Sequence, residues 1–470
     1  MLLPLLAWSC QWMKEDYNDD DEIVDSSTIE YINISISVSA DNNNVTRAPQ
    51  GGEYGDGFLQ GINNRENAVE KITLIFYQDN AGINTTNNDA EVSFVKTYSV
   101  YPTTTFDYPN THTHKNTEPT GFADQEIIYT TGNQKLEETP LQVGQTYKVL
   151  VVANADVIVD IGDKISTVRE KVLNSVYTGT GAGIDASHFV MSSEADASVT
   201  LTNPTIDTSD GKNKIIYYFN CIHIERLAAR IDYNTKGGTY DENLGGYRYS
   251  TGTGNGFFVI TKVTPFNLYN EREYLFKRVQ DAWPATSTVY LGDESTTNYV
   301  VDPNTANKDN SQTFSYLSPV SENMGTAFAQ TMNNLSQGQT FLDEEGFNNV
   351  IIAYPRENTL MPTSSLKRYA TGIAFETYVY VNATATPVRH VYYHYLRHQG
   401  ELATGSYQAK EWEGLSDTEV SNSSVPMNFG VVRNNIYSIT IESLNVQEGI
   451  LKLKIEEEKW RHVDNPVIYI

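Results

Sequence analysis

Ile29-Glu30-Tyr31-Ile32-Asn33-Ile34-Ser35-Ile36-Ser37-Val38-Ser39-Ala40 alternates large apolar side chains with polar ones. Ile32, Ile34, Ile36 and Val38 fall on one side of the alternation, and Asn33, Ser35, Ser37 and Ser39 on the other. A period of two puts all four apolar residues on one face of a strand. A polar turn from Asp41 to Asn44 follows, then Arg47 and Ala48 in what reads as an exposed loop. Upstream, Cys10 stands behind a short apolar run. The order along the chain is cysteine, acidic spacer, strand, basic residue, body. An ordinary first strand with an ordinary loop fits the same residues. The far end of the chain bears on the choice.

With 470 residues the chain is long enough for two to four domains and a sizeable core. Tyr (31) outnumbers Phe (17), and Thr, Asn, Ser and Gly are plentiful, which favours strands and turns. The net charge of −26 argues against nucleic acid as a partner, because such binding needs a basic stripe. There are two cysteines. If Cys10 carries lipid, Cys221 has no partner and no disulfide is expected. Cys221 lies in the apolar run Tyr217 to Ile224 and reads as a small buried hydrophobe.

Met1 to Ser9 is far too short to span a membrane as a helix, and no other stretch could span one. It lacks the basic segment that opens a secretory signal, and reads as the remainder of a longer one. Leu6-Ala7-Trp8-Ser9-Cys10 resembles a lipoprotein signal-peptidase site, with Trp8 as a departure. Lys14 to Glu22, an acidic run behind the cysteine, resembles the surface-export signal of Bacteroides-type lipoproteins. A solvated disordered tail has the same composition.

Val69 to Tyr77, Val92 to Val100, Glu126 to Thr130 and Thr146 to Ala153 read as strands, the last a near-continuous apolar run and so buried. Ile165, Val168, Val172 and Val176 have helical spacing and predict a helix over Ile165 to Val176. Phe189 to Ser193 and Ala197 to Leu201 read as closing strands. A second unit opens near Lys214. Its strands are Ile215 to Ile231, Gly256 to Thr264, Phe266 to Phe276, Asn349 to Tyr354, Gly372 to Val381, Val388 to Leu396 and Val431 to Leu444. Ala282 to Thr340 reads as long loops. Ile450 to Ile455 and Val467 to Ile470 close the chain. Many short strands between turn signals predict an all-β fold, two β-sandwiches in series with one or two short helices.

The chain offers little chemistry. His390, His394 and His398 are spaced by four, but Val391, Tyr392, Tyr393 and Tyr395 between them are strand formers, so the three spread out along a strand. His112 and His114 sit in a loop. Glu344-Glu345 and Glu456-Glu457-Glu458 read as solvated faces. There is no Gly-x-Ser-x-Gly, no His-Glu-x-x-His and no phosphate-binding glycine loop. Gly252-Thr253-Gly254-Asn255-Gly256 leads into a strand rather than a helix. No catalytic residue, metal or cofactor is expected, and an enzyme is a poor reading.

Leu451, Leu453 and Ile455 alternate with Lys452, Lys454 and Glu456, repeating the N-terminal pattern at the other end. Suppose a cut after Arg47 removes the first strand. Its groove then exposes apolar surface and unpaired backbone groups, and another subunit's C-terminal strand could fill it. Burying three or four large apolar side chains would contribute about 5–10 kcal/mol. A head-to-tail contact that does not close makes an open polymer.

Several stretches resemble the fimbrillins of Mfa-type minor fimbriae, a group of the type V pilins of Bacteroides-like bacteria. Val45-Thr46-Arg47-Ala48 resembles the processing site. Ile224-Glu225-Arg226-Leu227-Ala228-Ala229-Arg230-Ile231 resembles the inter-domain strand. Asn298 to Pro303, Glu357-Asn358-Thr359 and Ala370 to Ile373 resemble internal signatures, and Tyr393 to His398 and Phe429 to Tyr437 the C-terminal part of stalk subunits. The resemblance implies two transthyretin-like β-sandwich domains. It implies a residual signal peptide (1–9), a lipidated acidic propeptide with the removable strand (10–47), an N-terminal sandwich (48–213), a C-terminal sandwich (214–445) and C-terminal donor strands (446–470). It implies a precursor held in the outer membrane through Cys10, an arginine-specific protease that cuts between Arg47 and Ala48, and a fimbrium at the cell surface. The implied partners are further copies of the chain, anchor and tip subunits, that protease and a host or bacterial surface receptor.

A different class of reading is a monomeric surface lipoprotein that binds glycans through exposed aromatic residues, Trp283 and Trp412 among them. A third is an anchor subunit that keeps its lipid and is never cut at Arg47.

Overall fold

The structure, a computed structural model, describes residues 29–37, 69–78, 90–102, 128–173, 179–180, 189–193, 196–209, 213–252, 254–268, 273–280, 288–290, 299–303, 339–342, 348–359, 370–396, 404–411 and 430–459. Among these, strands dominate. The principal ones of the first half are β1 (Ile29–Ser37), β2 (Lys71–Tyr77), β3 (Val92–Ser99), β4 (Ile128–Lys135), β5 (Thr146–Ala153), β6 (Met191–Ser193) and β7 (Lys214–Arg226). They hydrogen-bond in the order β3-β2-β5-β6-β7-β1-β4.

β7 turns this sheet into a sandwich. Its first ten residues, Lys214 to His223, pair with β1. Its last three, Ile224 to Arg226, pair with β6. One strand thus belongs to both layers. Ile32, Ile34 and Ile36 of β1 face Ile72, Leu74 and Phe76 of β2 and Val149 and Val151 of β5 across a single core. The Phe76 and Phe219 rings meet there at 6.2 Å. β2 and β5 are buried on their other face too, by Ile165 and Val168 of the helix α1 (Ile165–Arg169) and by Leu275 and Phe276. That double burial explains their near-continuous apolar sequences.

The second unit contains β8 (Arg230–Asn234), β9 (Thr239–Asp241), β10 (Gly246–Ser250), β11 (Phe257–Phe266), β12 (Asn348–Tyr354), β13 (Gly372–Tyr380), β14 (Val388–Tyr395), β15 (Thr404–Glu411), β16 (Asn435–Asn445) and β17 (Ile450–Lys459). Their order is β9-β10-β11-β13-β14-β15-β17-β16-β8-β12. The two ends of this sheet share one core, in which Phe258, Ile260 and Phe375 meet Ile231, Val350 and Ile439. The fold is therefore all-β, with two β-sandwich units in series.

Three local expectations change. The strand that begins at Lys214 pairs within the first sheet, and the second sheet takes up the chain at Arg230. Ile215 to Ile231 is thus two strands, separated by Leu227 to Ala229. The helix expected through Val176 ends at Arg169. The Lys171 N–H reaches back to the Val168 carbonyl at 3.2 Å, and Val172–Leu173 pairs with Glu273–Tyr274. Sheet pairing overrides the helical spacing, and β-branched Val172 suits a strand. Among the described residues of Phe266 to Phe276, Glu273–Tyr274 alone is paired as a strand beyond the end of β11. Asn267 breaks the run with φ of 54°, a left-handed conformation that asparagine tolerates.

Candidate functional site

β1 is an interior strand of the first sheet. It runs parallel to β7, from Ile29 opposite Lys214 to Ser37 opposite His223. It runs antiparallel to β4, from Tyr31 opposite Lys135 to Ser37 opposite Ile128. Ile32, Ile34 and Ile36 are at most 1 % exposed. Their burial is worth about 5–9 kcal/mol, taken as an upper bound. The polar positions are used as well. Asn33 Nδ2 donates to Asn133 Oδ1 at 3.0 Å, and Thr130 Oγ1 donates to Asn33 Oδ1 at 2.6 Å. The Ile34 N–H donates to Thr131 Oγ1 at 3.2 Å. Tyr217 donates its hydroxyl to Glu30 Oε1 at 3.3 Å. β1 heads the described residues, and the next ones begin at Val69.

β17 carries Leu451, Leu453 and Ile455, all buried in the second core. Lys452 is exposed, and Lys454 and Glu456 are half-buried. It lies between β16 and β15, paired from Asn445 opposite Ile450 to Asn435 opposite Lys459 on one side. On the other side it pairs from Lys410 opposite Ile450 to Thr404 opposite Glu456. The two strands that the sequence singles out therefore share one in-out pattern and both sit inside a sheet. Cys10, Val38, Arg47, Ala48, Trp283, Trp412 and His398 lie outside the described residues. His390 and His394 lie on β14 as expected, and His394 packs against Tyr407 at 5.1 Å. No group of side chains suited to a metal ion occurs among the described residues.

Where the two units meet, the motifs quoted above converge in one buried polar network. Arg433 is fully buried. Its Nε and one terminal nitrogen donate to Glu357 at 3.0 and 2.8 Å. It also donates to the Tyr274 and Leu275 carbonyls at 2.6 and 3.2 Å. Glu273 lies 3.8 Å from the same guanidinium. Lys277 pairs with Glu225, the penultimate residue of β7, at 2.8 Å. Arg226 donates to Asn434 Oδ1 at 3.3 Å. Asn434 holds φ of 56°, and its N–H donates to the Ala228 carbonyl. Asn358 donates to Thr371 Oγ1 at 2.9 Å, and the Thr359 N–H to Asp302 at 2.8 Å. Sequence reasoning did not find this network. The signal was charge embedded in apolar runs, as in Ile224-Glu225-Arg226-Leu227 and Leu275-Phe276-Lys277.

Burial pushes the Glu273 carboxyl up to about 8; Arg433 pulls against the rise and the Glu357 carboxylate adds to it. Glu225 is raised by burial too, against Lys277 and Arg433. A carboxyl whose folded pKa exceeds its unfolded value contributes stability that is fully present below the unfolded value. That contribution is lost as the pH rises through the folded one. For Glu273 the window runs from 4.5 to about 8. Glu273→Gln, neutral at every pH, will therefore gain stability relative to the parent between pH 5 and pH 9. Urea midpoints at pH 5, 7 and 9 will show it, and parallel profiles would rule it out.

Neither a family model nor a curated protein matches the chain. Solved structures do. The tip fimbrial protein Mfa3 from Porphyromonas gingivalis with C-terminal truncation is 11 % identical, over 92 % of this chain and 100 % of that one, with a TM-score of 0.37. A fimbrilin (fimA) from Porphyromonas gingivalis W83 is 13 % identical over 92 % and 99 %, also with a TM-score of 0.37. A fimbrial assembly protein from Parabacteroides distasonis is 10 % identical over 90 % and 94 %, with a TM-score of 0.36. These neighbours are fimbrial proteins. They are of the kind that the sequence motifs resemble.

Proposed function

We propose that this chain is a fimbrial stalk subunit that polymerises by strand exchange after proteolysis, in support of adhesion. The precursor is anchored at Cys10 and displayed at the cell surface. An arginine-specific protease cuts after Arg47, and β1 leaves with the anchor. The C-terminal strand segment of a neighbouring subunit, with Leu451, Leu453 and Ile455, then takes the vacated place.

The observation that carries this reading is the seat of β1. A strand at the head of the chain is threaded between β7 and β4, with three isoleucines in the core. It precedes Arg47 by ten residues. Its loss leaves two strand edges and a slot for three alternate apolar side chains, a template for strand addition. β17 has the matching alternation.

Digestion of the full precursor with an arginine-specific protease tests it, followed by N-terminal sequencing and an unheated SDS gel. The expected products begin at Ala48 and form an SDS-resistant ladder. Arg47→Gln should stay uncut at that site and monomeric. Cleavage at Arg47 that yields only monomer would overturn the stalk reading in favour of an anchor subunit or a monomeric glycan-binding lipoprotein.

A further inference from the structure

A cleft of about 750 Å3 opens at one end of the second sheet. It lies where the turns between β10 and β11 and between β13 and β14 come together with the chain that enters β9. Thr239, Ser250, Asn255, Asn382 and Thr384 line it with hydroxyl and amide groups, together with Arg248 and Phe257. Its volume is in the range of small-ligand sites.

The Arg248 guanidinium lies 3.7 Å from the centre of the Phe257 ring. Phe257 in turn stacks on Tyr380, with centroids 4.5 Å apart and planes 10° from parallel. This stack fixes the cation in place and leaves its N–H donors unspent. No described carboxylate pairs with Arg248, although the chain carries a net charge of −26. The contrast with the adjoining strands is sharp. Lys262 of β11 and Arg389 of β14 are both committed to Glu376, at 3.5 and 2.7 Å. No acid lines the cleft.

Its amides are similarly placed. Asn382 Oδ1 accepts from the Thr384 N–H and Oγ1, each at 3.0 Å, which holds the side chain still and leaves its Nδ2 as a donor. Asn255 is exposed on the facing turn, where Gly252 and Gly254 hold positive φ of 74° and 58°. A planar cation with unspent donors fits a carboxylate in two-point fashion. Neutral hydroxyl and amide groups around it fit sugar hydroxyls, which donate and accept at once.

We propose that this cleft binds a carboxylate-bearing sugar, a uronic acid unit within a glycan, with Arg248 on the carboxylate and Asn255 and Asn382 on the ring hydroxyls. A carboxylate seated within a Debye length of Arg248 feels its charge at physiological salt, and the side chains that line the cleft add no negative charge against it. The site is independent of strand exchange and needs neither Arg47 nor β17.

Calorimetric titration of the full chain with trigalacturonic acid, galactotriose and inorganic phosphate tests this. Saturable binding of trigalacturonic acid is expected, weakened at least tenfold in Arg248→Gln and weakened also in Asn255→Ala, which keeps the charge. Unchanged melting temperatures in both exposed variants will show that folding is intact. Galactotriose should bind far more weakly in the parent and be indifferent to Arg248→Gln. No saturation with trigalacturonic acid, or equal affinity in Arg248→Gln, would overturn the proposal. Phosphate binding as tight as trigalacturonic acid would overturn the sugar assignment and leave a simple anion site.

Discussion

Arg433→Met will cost the full chain about 3–5 kcal/mol, the usual penalty for removing one partner of a buried ion pair. The guanidinium is fully buried and closes two charge-assisted hydrogen bonds to Glu357. Methionine fills much of the volume but leaves the Glu357 carboxylate without its cation, beside Glu273 and near Glu225. It also leaves the Tyr274 and Leu275 carbonyls without their donor. Most of the loss is the desolvation of what remains rather than the worth of the pair itself. The double variant Arg433→Met with Glu357→Met should therefore be more stable than Arg433→Met alone. Urea unfolding of the parent, both single variants and the double variant at pH 7 gives the coupling directly. A loss under about 1 kcal/mol in Arg433→Met would mean that water reaches Glu357 and that the network does not hold the two units together.

Much of this architecture was legible because burial leaves a period in the sequence. β1, β5 and β14 follow from alternation or from continuous apolar runs, and their strand type is where the sequence puts it. The helix at Ile165 is shorter than its apolar spacing predicts, because Val172–Leu173 finds a strand partner at Glu273–Tyr274, about a hundred residues away. No local pattern encodes such a partner. β9, at the edge of its sheet, and its neighbour β10 have three and five residues, too few for a period to stand out. Of the candidate site, the apolar faces of β1 and β17 were readable from side-chain type alone. Their seats inside their sheets were not, because neighbours in a sheet are set by topology. The buried charges were the hardest. Glu273 and Glu357 look like surface residues until the strands that cover them are in place. Arg248 presents the opposite case, an ordinary exposed arginine made distinctive by the aromatic stack beneath it.

A peptide of residues Ile29 to Ser39 will stop the polymerisation of Arg47-cleaved chain when added at equimolar ratio. Truncating the C-terminal segment is a poor test of the exchange, because β17 also completes its own core. Losing Leu451, Leu453 and Ile455 would open the second sandwich whatever those residues do for a neighbour. The peptide avoids this. It has no fold to leave, whereas β17 must first come out from between β15 and β16 before it can be donated. That extraction exposes about as much apolar surface as insertion covers, so exchange between subunits runs close to balance. The peptide lacks that cost and also restores the hydrogen bonds of Asn33 to Asn133 and Thr130. In the same register β17 presents Lys452 at that position. A peptide of Gly449 to Lys459 should therefore cap the groove too, but at higher concentration. Ile34→Asp in the first peptide and Leu453→Asp in the second should abolish capping, since either buries an unpaired carboxylate in the slot. Ladder length on unheated SDS gels reads all four peptides in one experiment. Full ladders with every peptide would sink the slot formed by β4 and β7 as the acceptor, while leaving processing at Arg47 intact.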